Sequence, residues 1–467
     1  MSKPVTPSTR ASGPVQRIVA AFPLGPFGSV FLGLALLGCH RAPGTEAGCS
    51  KDTDCKAQRV CEDGRCVAAA PAPMEQSVTA PSESAPIPPP KVVRLEWWRG
   101  GPGSVKPLTV KGPVKAPDKA WDVDLGTVVY ATPRIATHPK VAGGAPVAYV
   151  GTHGGRIVGI VVSGALEGQT VFDVRVEGRV WASPAIADGI LYVGSDHDRL
   201  YAFEIATRDL KFELKLGKCR ETRAPGPEGA RCDVDGGPTL GPDGDLYVGA
   251  DGIYRISPRG TVRWHYPKDE DKPKHVYSTP VVTSDGMLYV GGQDGHVTAL
   301  EAGTGALKWR YKVVADVDGS PAMATDGTVF VGADDGRVYA LRSDGSLRWS
   351  FVAQDDVRSS VASGPGDRLY VTSHDGNLYA LKTSGEVEWV LGTAGKLQSS
   401  PVVDAEGVVY FGGQDAYLYA VSHAGKVLWR VEMPEQVDSS VAIADDGTVV
   451  VGCDDGHLRA FRAPPAK

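Results

Sequence analysis

Gly319-Ser320-Pro321-Ala322-Met323, the turn Asp326-Gly327, the hairpin residues Ala333-Asp334-Asp335-Gly336-Arg337, the run Val338-Tyr339-Ala340-Leu341 and then Trp349 decide the fold when read together. Each apolar run is too short for a helix, and turn residues separate the runs, so the stretch reads as four short strands. The same order recurs about every forty residues, which makes it a repeat. Ser278-Thr279-Pro280-Val281-Val282, Ser399-Ser400-Pro401-Val402-Val403 and Ser439-Ser440-Val441-Ala442-Ile443 open other copies. The Pro or Val of the first strand falls at 133, 184, 238, 280, 321, 361, 401 and 441, which gives eight copies.

The fourth strand carries a bulky aromatic at Phe172, Phe212, Trp264, Trp309, Trp349, Trp389 and Trp429, one fewer than the first strands. The last copy runs out of chain at its third strand. Lys119-Ala120-Trp121-Asp122-Val123 stands unattached upstream of the first copy and supplies the missing tryptophan. A propeller closes by pairing its N-terminal strand into the last blade, which removes an open sheet edge. A linear solenoid would leave that strand unused and would call for a polar cap at the C-terminus. The sequence therefore predicts an all-β, eight-bladed propeller of four-stranded antiparallel blades over 118–467.

The flanking regions point to export. Arg10 and Arg17 precede an apolar stretch from Ile18 to Leu37, which ends in Leu36-Leu37-Gly38-Cys39. An apolar residue, a small residue and then Cys make a lipoprotein processing site, so 1–38 reads as signal peptide and Cys39 as the lipidated N-terminus. Pro23 and Pro26 interrupt the span and disfavour a transmembrane anchor. Over 39–67, Cys49, Cys55, Cys61 and Cys66 crowd together with five, five and four residues between them. That spacing lacks the paired C-x-x-C of zinc ribbons, and an exported module this small is expected to be held by two disulfides in one of three connectivities. Residues 68–117 form a Pro/Ala-rich spacer and lead-in. Cys219 and Cys232 close a Pro/Gly-rich loop and make a third disulfide candidate, leaving Cys453 as the expected free thiol.

The wording of the repeat is familiar. Ala299-Leu300-Glu301-Ala302-Gly303-Thr304-Gly305-Ala306-Leu307-Lys308-Trp309 resembles the tryptophan-docking motif of quinoprotein (PQQ-like) propellers. Other copies carry it one residue shorter, as Ala340…Gly345…Trp349, Ala380…Gly385…Trp389 and Ala420…Gly425…Trp429. The Ala makes room beneath an indole, the Gly allows a positive φ, and Trp121, Trp264, Trp309, Trp349, Trp389 and Trp429 are expected to dock blade to blade. The resemblance covers about 118–467 and extends to outer-membrane assembly lipoproteins of the BamB kind, which fit better in length, export and lipidation site. It implies a cell-envelope scaffold, facing the periplasm from the outer membrane and binding envelope proteins.

Chemistry is sparse. The dehydrogenases that share the repeat carry adjacent cysteines against the quinone, an Asp base and calcium ligands, and no two cysteines are adjacent here. The histidines at 153, 197, 296, 374 and 457 fall on different blades, too far apart to converge on one metal. A net charge of -6 argues against nucleic-acid binding, which requires a basic face. No catalytic residue, cofactor or metal is expected, and the chain is expected to be a monomer. The Asp-Gly pairs of the second hairpins read as type I′ turns. The positions beside them vary from blade to blade and are the partner-face candidates: Arg156, Arg199, His296, Arg337, Asn377, Tyr417 and His457. The competing class is a small-molecule or polymer-binding envelope sensor, which would need a deep apolar pocket where a scaffold needs a broad face.

Replacing Cys39 with Ala is expected to release the protein from membranes or to block its maturation. Fractionation that finds a normally cleaved Cys39→Ala protein still in the membrane would remove the lipid anchor from this reading.

Overall fold

The computed structural model describes residues 59–62, 65–68, 108–217, 233–267, 275–324 and 326–465. Eight four-stranded antiparallel sheets follow one another at 134–175, 185–215, 239–266, 281–312, 322–352, 362–392, 402–432 and 442–462, here blades 1 to 8. Blade 8 takes its fourth strand from Asp118–Asp124, which pairs antiparallel with His457–Arg462. The first strands of neighbouring blades approach one another, so they line the axis and the fourth strands form the rim. The ring is closed as the count of strands requires.

The protein has no single core. Its buried apolar side chains fall into clusters that each span one seam between neighbouring blades, from blades 1 and 2 round to blades 8 and 1. A twisted sheet with two apolar faces must be covered on both sides, and in a ring each blade covers its neighbours.

The docking tryptophans secure the seams at the rim. Five of the six indole N–H groups donate to a carbonyl beyond the third strand of the next blade: Trp309 to Ser343 at 2.8 Å, Trp349 to Thr383 at 2.9 Å, Trp389 to His423 at 3.0 Å. Trp264 and Trp121 donate to Ala302 and Val162, both at 3.0 Å. Ala340, Ala380 and Ala420 stand directly opposite Trp349, Trp389 and Trp429 in the ladder, as the motif implied. Gly385, at φ 93°, faces the preceding blade's Trp349, where a Cβ would lie 2.8 Å from the indole. The glycine therefore serves two ends, the turn and the close approach of the ring. Only Trp121 and Trp429 are fully buried; Trp264, Trp309, Trp349 and Trp389 are half-buried. A bulge interrupts every fourth-strand pairing just beside the aromatic, which twists the rim and blunts its exposed edge.

A second belt runs near the axis. Thr279 N donates to Ser320 Oγ at 3.0 Å, Ser320 N to Ser360 Oγ at 3.2 Å, Ser360 N to Ser400 Oγ at 2.9 Å and Ser400 N to Ser440 Oγ at 2.9 Å. Ser439 Oγ donates to Ala131 O at 3.0 Å and carries the belt from blade 8 to blade 1. The Ser-Ser and Ser-Thr pairs are thus blade-to-blade connectors.

The turn assignment needs correction. In the second hairpin of blade 6, Ser373 N donates to Asn377 O and Gly376 N to Ser373 O, both at 3.1 Å, so the loop is one residue too long for a type I′ turn. Only the glycine, at φ 83°, is left-handed, while Asp375 keeps a negative φ. This is a type I turn followed by a left-handed residue. Ala416 (φ 62°) and Asp198 (φ 61°) occupy the same position without glycine.

Earlier in the chain, Arg59–Glu62 and Arg65–Ala68 form a hairpin that places Cys61 opposite Cys66 in the register. Cys39, Cys49, Cys55, Cys219 and Cys232 lie outside the described residues, as do 268–274. Among the described residues, Cys453 is a free, buried cysteine.

Trp349→Ala should lower unfolding free energy by about 3 kcal/mol, and Gly385→Ala should also destabilise the ring. Chemical denaturation checks both; wild-type midpoints in both variants would contradict the docking role.

Candidate site at the channel mouth

The face that carries the second hairpins also carries the connections from each fourth strand into the next first strand. Two residues before the small or hydroxyl residue that leads into Pro or Val, each connection presents one variable side chain: Tyr130, Trp181, Asp235, Tyr277, Asp318, Arg358, Gln398 and Asp438. The fold sets these eight around one mouth of the central channel. The hairpin of the preceding blade sends a polar residue to meet several of them. The backbone fixes that meeting: Val357 N donates to Ala333 O at 3.1 Å, and Leu397 N to Ser373 O at 3.2 Å.

The pairs differ in chemistry at each seam. Asp334 and Arg358 form a two-point ion pair, Nε to Oδ1 at 3.1 Å and Nη2 to Oδ2 at 2.6 Å. Gln414 Nε2 donates to both oxygens of Asp438, at 3.1 and 3.2 Å. Gln293 Nε2 donates to Asp318 Oδ1 at 3.3 Å, and His374 Nε2 meets Gln398 Oε1. At the seam of blades 1 and 2 the pairing turns aromatic. His153 lies 3.9 Å from Trp181 between ring centroids, and Tyr130 stands 5.0 Å from Trp181, edge to face. Burial pushes the Tyr130 hydroxyl far above its ordinary range, and the charge of Asp438 on blade 8 adds to that.

The carboxylates of the mouth are strained electrostatically. Burial first, and the charges of Asp438, Glu435 and Asp455 next, push Asp454 up to about 7. Asp438 is raised as well, chiefly by burial. Burial and the charge of Asp318 raise Asp334 despite the Arg358 guanidinium beside it. Taking carboxylates out of water disfavours their charged form, and neighbouring like charges deepen the effect.

The hairpin aspartates one position further on are structural. Asp335, Asp375 and Asp415 accept the hydroxyls of Tyr339, Tyr379 and Tyr419 at 2.5, 2.5 and 2.7 Å. Asp375 and Asp415 also accept a connection amide, from Gln354 at 2.9 Å and Ala394 at 3.1 Å, and so pin one blade to the next.

The partner-face candidates make contacts of their own beside the hairpins. Arg156 holds Asp173 on the fourth strand of its own blade at 2.7 Å, and Arg199 holds Glu213 at 2.8 Å. His457 meets Asp122 at 2.7 Å, and Arg430 lies over the Tyr417 ring at 4.5 Å. Asn377 donates to the Tyr379 hydroxyl at 3.3 Å, and His296 Nδ1 sits 2.9 Å from Asp294 O. Arg337 opens the third strand of blade 5 at the same position. Of these, Arg156, Arg199, Tyr417 and His457 meet residues on the fourth strand of their own blade. The convergent residues are the column at Tyr130 to Asp438, whose signal is one variable residue per repeat between an invariant-looking Val or Leu and the Ser/Thr/Gly step.

With this geometry in view, the comparisons are direct. The family model described as "Outer membrane protein assembly factor BamB" matches residues 249–364 and 342–464. Residues 249–464 thus resemble the PQQ-like repeat of that family, within a chain that folds as an eight-bladed β-propeller. The crystal structure of BamB from Moraxella catarrhalis superposes with a TM-score of 0.58 at 16% identity, covering 74% of this chain and 99% of that one. The computationally designed protein Ika8 gives the same score and identity, with 75% and 99% covered. A quinohemoprotein alcohol dehydrogenase from Comamonas testosteroni gives 0.60 at 15% identity, with 76% and 78% covered. No curated protein sequence matches. These structural likenesses show a shared fold.

The quinone of such dehydrogenases does not suit the residues at this mouth. Adjacent cysteines are missing from the sequence. Cys453 is buried, with its thiol donating to the carbonyls of Glu435 and Gln436 at 3.5 and 3.4 Å. Three of the eight ring positions, Asp235, Asp318 and Asp438, are carboxylates, and Arg358 is committed to Asp334.

A carboxyl whose pKa rises on folding favours the folded chain only while protonated, so its contribution turns unfavourable as pH climbs from about 4 through about 7. The melting temperature of Asp454→Asn should therefore gain on wild type between pH 5 and pH 8. A difference that stays constant across that range would contradict the raised value.

Proposed function

We propose that this chain is a lipid-anchored cell-envelope scaffold, non-catalytic, whose channel-mouth face binds protein partners in or near outer-membrane protein assembly. The observation that carries the reading is the mouth itself. Side chains from successive blades are tied to one another across their seams, which makes a broad, pre-formed, polar and aromatic floor. Such a floor suits a protein surface, since rigid complementary side chains lower the ordering cost of association. The likeness of the repeat to an outer-membrane assembly factor supports the setting, and Leu36-Leu37-Gly38-Cys39 supports the anchor. The spacer then holds a monomeric propeller away from the membrane, with partner contacts made through protein rather than nucleic acid.

Trp181 and His153 are the place to test this, because their aromatic faces meet at the mouth while the tryptophans that seal the seams lie at the rim. The double variant His153→Ala, Trp181→Ala should keep a single melting transition within a few degrees of wild type. Its recovery of envelope partners in matched pull-downs should fall severalfold. Undiminished recovery would move the binding face elsewhere. Turnover of an alcohol or aldose by wild type with added quinone and calcium would overturn the non-catalytic reading.

A further inference from the structure

Trp429 is the most buried of the docking tryptophans, 4% exposed against 8% for Trp121. Its seam is also built differently. The other docking indoles donate to a loop that joins the third and fourth strands of the next blade. Blade 8 has no such loop, because its fourth strand comes from the N-terminus. Pro113 supplies the missing acceptor, and Trp429 Nε1 donates to its carbonyl at 2.6 Å.

The segment that brings Pro113 there lies outside the sheets. It passes between the first turns of blades 7 and 8. Ala405 N donates to Val110 O at 3.0 Å, and a Cβ on Gly447 would stand 2.5 Å from Lys111 O. Gly112 N donates to Asp404 Oδ2 at 3.0 Å. Asp404 is 2% exposed, and its carboxylate also accepts the Tyr410 hydroxyl at 3.2 Å and the amides of Glu406 and Val408 at 2.9 Å. Leu108 and Val110 are buried in one cluster with Val408, Tyr410 and Trp429. A Cβ at Gly112 would meet the Tyr410 hydroxyl at 2.4 Å, so a side chain there is excluded. Two aliphatic side chains in a groove, with main-chain bonds to a buried carboxylate and an indole, are the contacts by which proteins hold extended peptides.

We propose that the seam between blades 7 and 8 is a groove for an extended peptide, filled in cis by Leu108–Pro113. The same groove takes in trans a partner segment of the same chemistry: two aliphatic residues one apart, then a glycine two further on, then a carbonyl placed for Trp429. This site lies on the face opposite the channel mouth, and it stands or falls separately from the scaffold reading.

The test uses the full-length chain with Leu108→Asp and Val110→Asp, which expels the segment from the groove. A fluorescently labelled peptide spanning residues 106–116 is then titrated by anisotropy. The released variant should bind it at least tenfold more tightly than wild type, whose groove is filled. An unlabelled peptide with Val110→Asp should not compete, and adding Trp429→Phe to the variant should weaken binding about fivefold, as loss of one hydrogen bond would. Equal affinity of variant and wild type, or no binding by either, would overturn the proposal. Loss of the variant's cooperative melting would do so too, because the segment would then be an integral part of the ring.

Discussion

Everything in this molecule depends on mutual coverage between neighbouring sheets. Each blade is too thin to hide its own apolar faces, and the buried clusters lie between blades, so a blade is stable only with a neighbour on each side. That condition propagates until the ring closes, and it fixes the oddest feature of the chain. Asp118–Asp124 leaves the N-terminal region to finish a sheet whose other strands lie more than three hundred residues away. The docking tryptophans at the rim and the hydroxyl belt near the axis repeat the requirement in hydrogen bonds, since each spans from one blade to the next.

The same geometry separates structural from variable positions. The hairpin aspartates at 335, 375 and 415 are held by a tyrosine hydroxyl, and two of them by a neighbouring connection as well. The column from Tyr130 to Asp438 has no such uniform duty, and it holds an aromatic group at one seam, an ion pair at another and an amide-carboxylate pair at a third. Repetition of the scaffold leaves these positions free to differ while keeping their spacing fixed, which is how a rigid repeat protein presents a specific surface.

The fold was legible because its determinants are local and repeated. The count of first strands against aromatics, and the stray Trp121, carry the blade number and the closure without any structure. The candidate site was less legible. Arg156 and Arg199 stand out in the sequence as variable charges, yet each faces a carboxylate on its own fourth strand, a pairing set by register across the hairpin. The mouth residues are hidden in the sequence because they precede the Ser-Pro landmark and look like loop variation. The turn is ambiguous for a related reason: Asp-Gly suits both a two-residue and a three-residue hairpin loop, and only the backbone shows which carries the left-handed residue. Pro113 could not have been found at all, since its contact with Trp429 depends on where the closed ring leaves a gap.

Hydrogen exchange at the closing strand measures the central claim most directly. Amides of His457–Arg462 that pair with Asp118–Asp124 belong, on this account, to a third-to-fourth-strand ladder equivalent to those within blades 4 and 5. They should exchange as slowly as the third-strand amides of those blades, through opening of the whole ring. Fast exchange at His457–Arg462, alongside slow exchange in the interior blades, would show an open edge there and contradict closure.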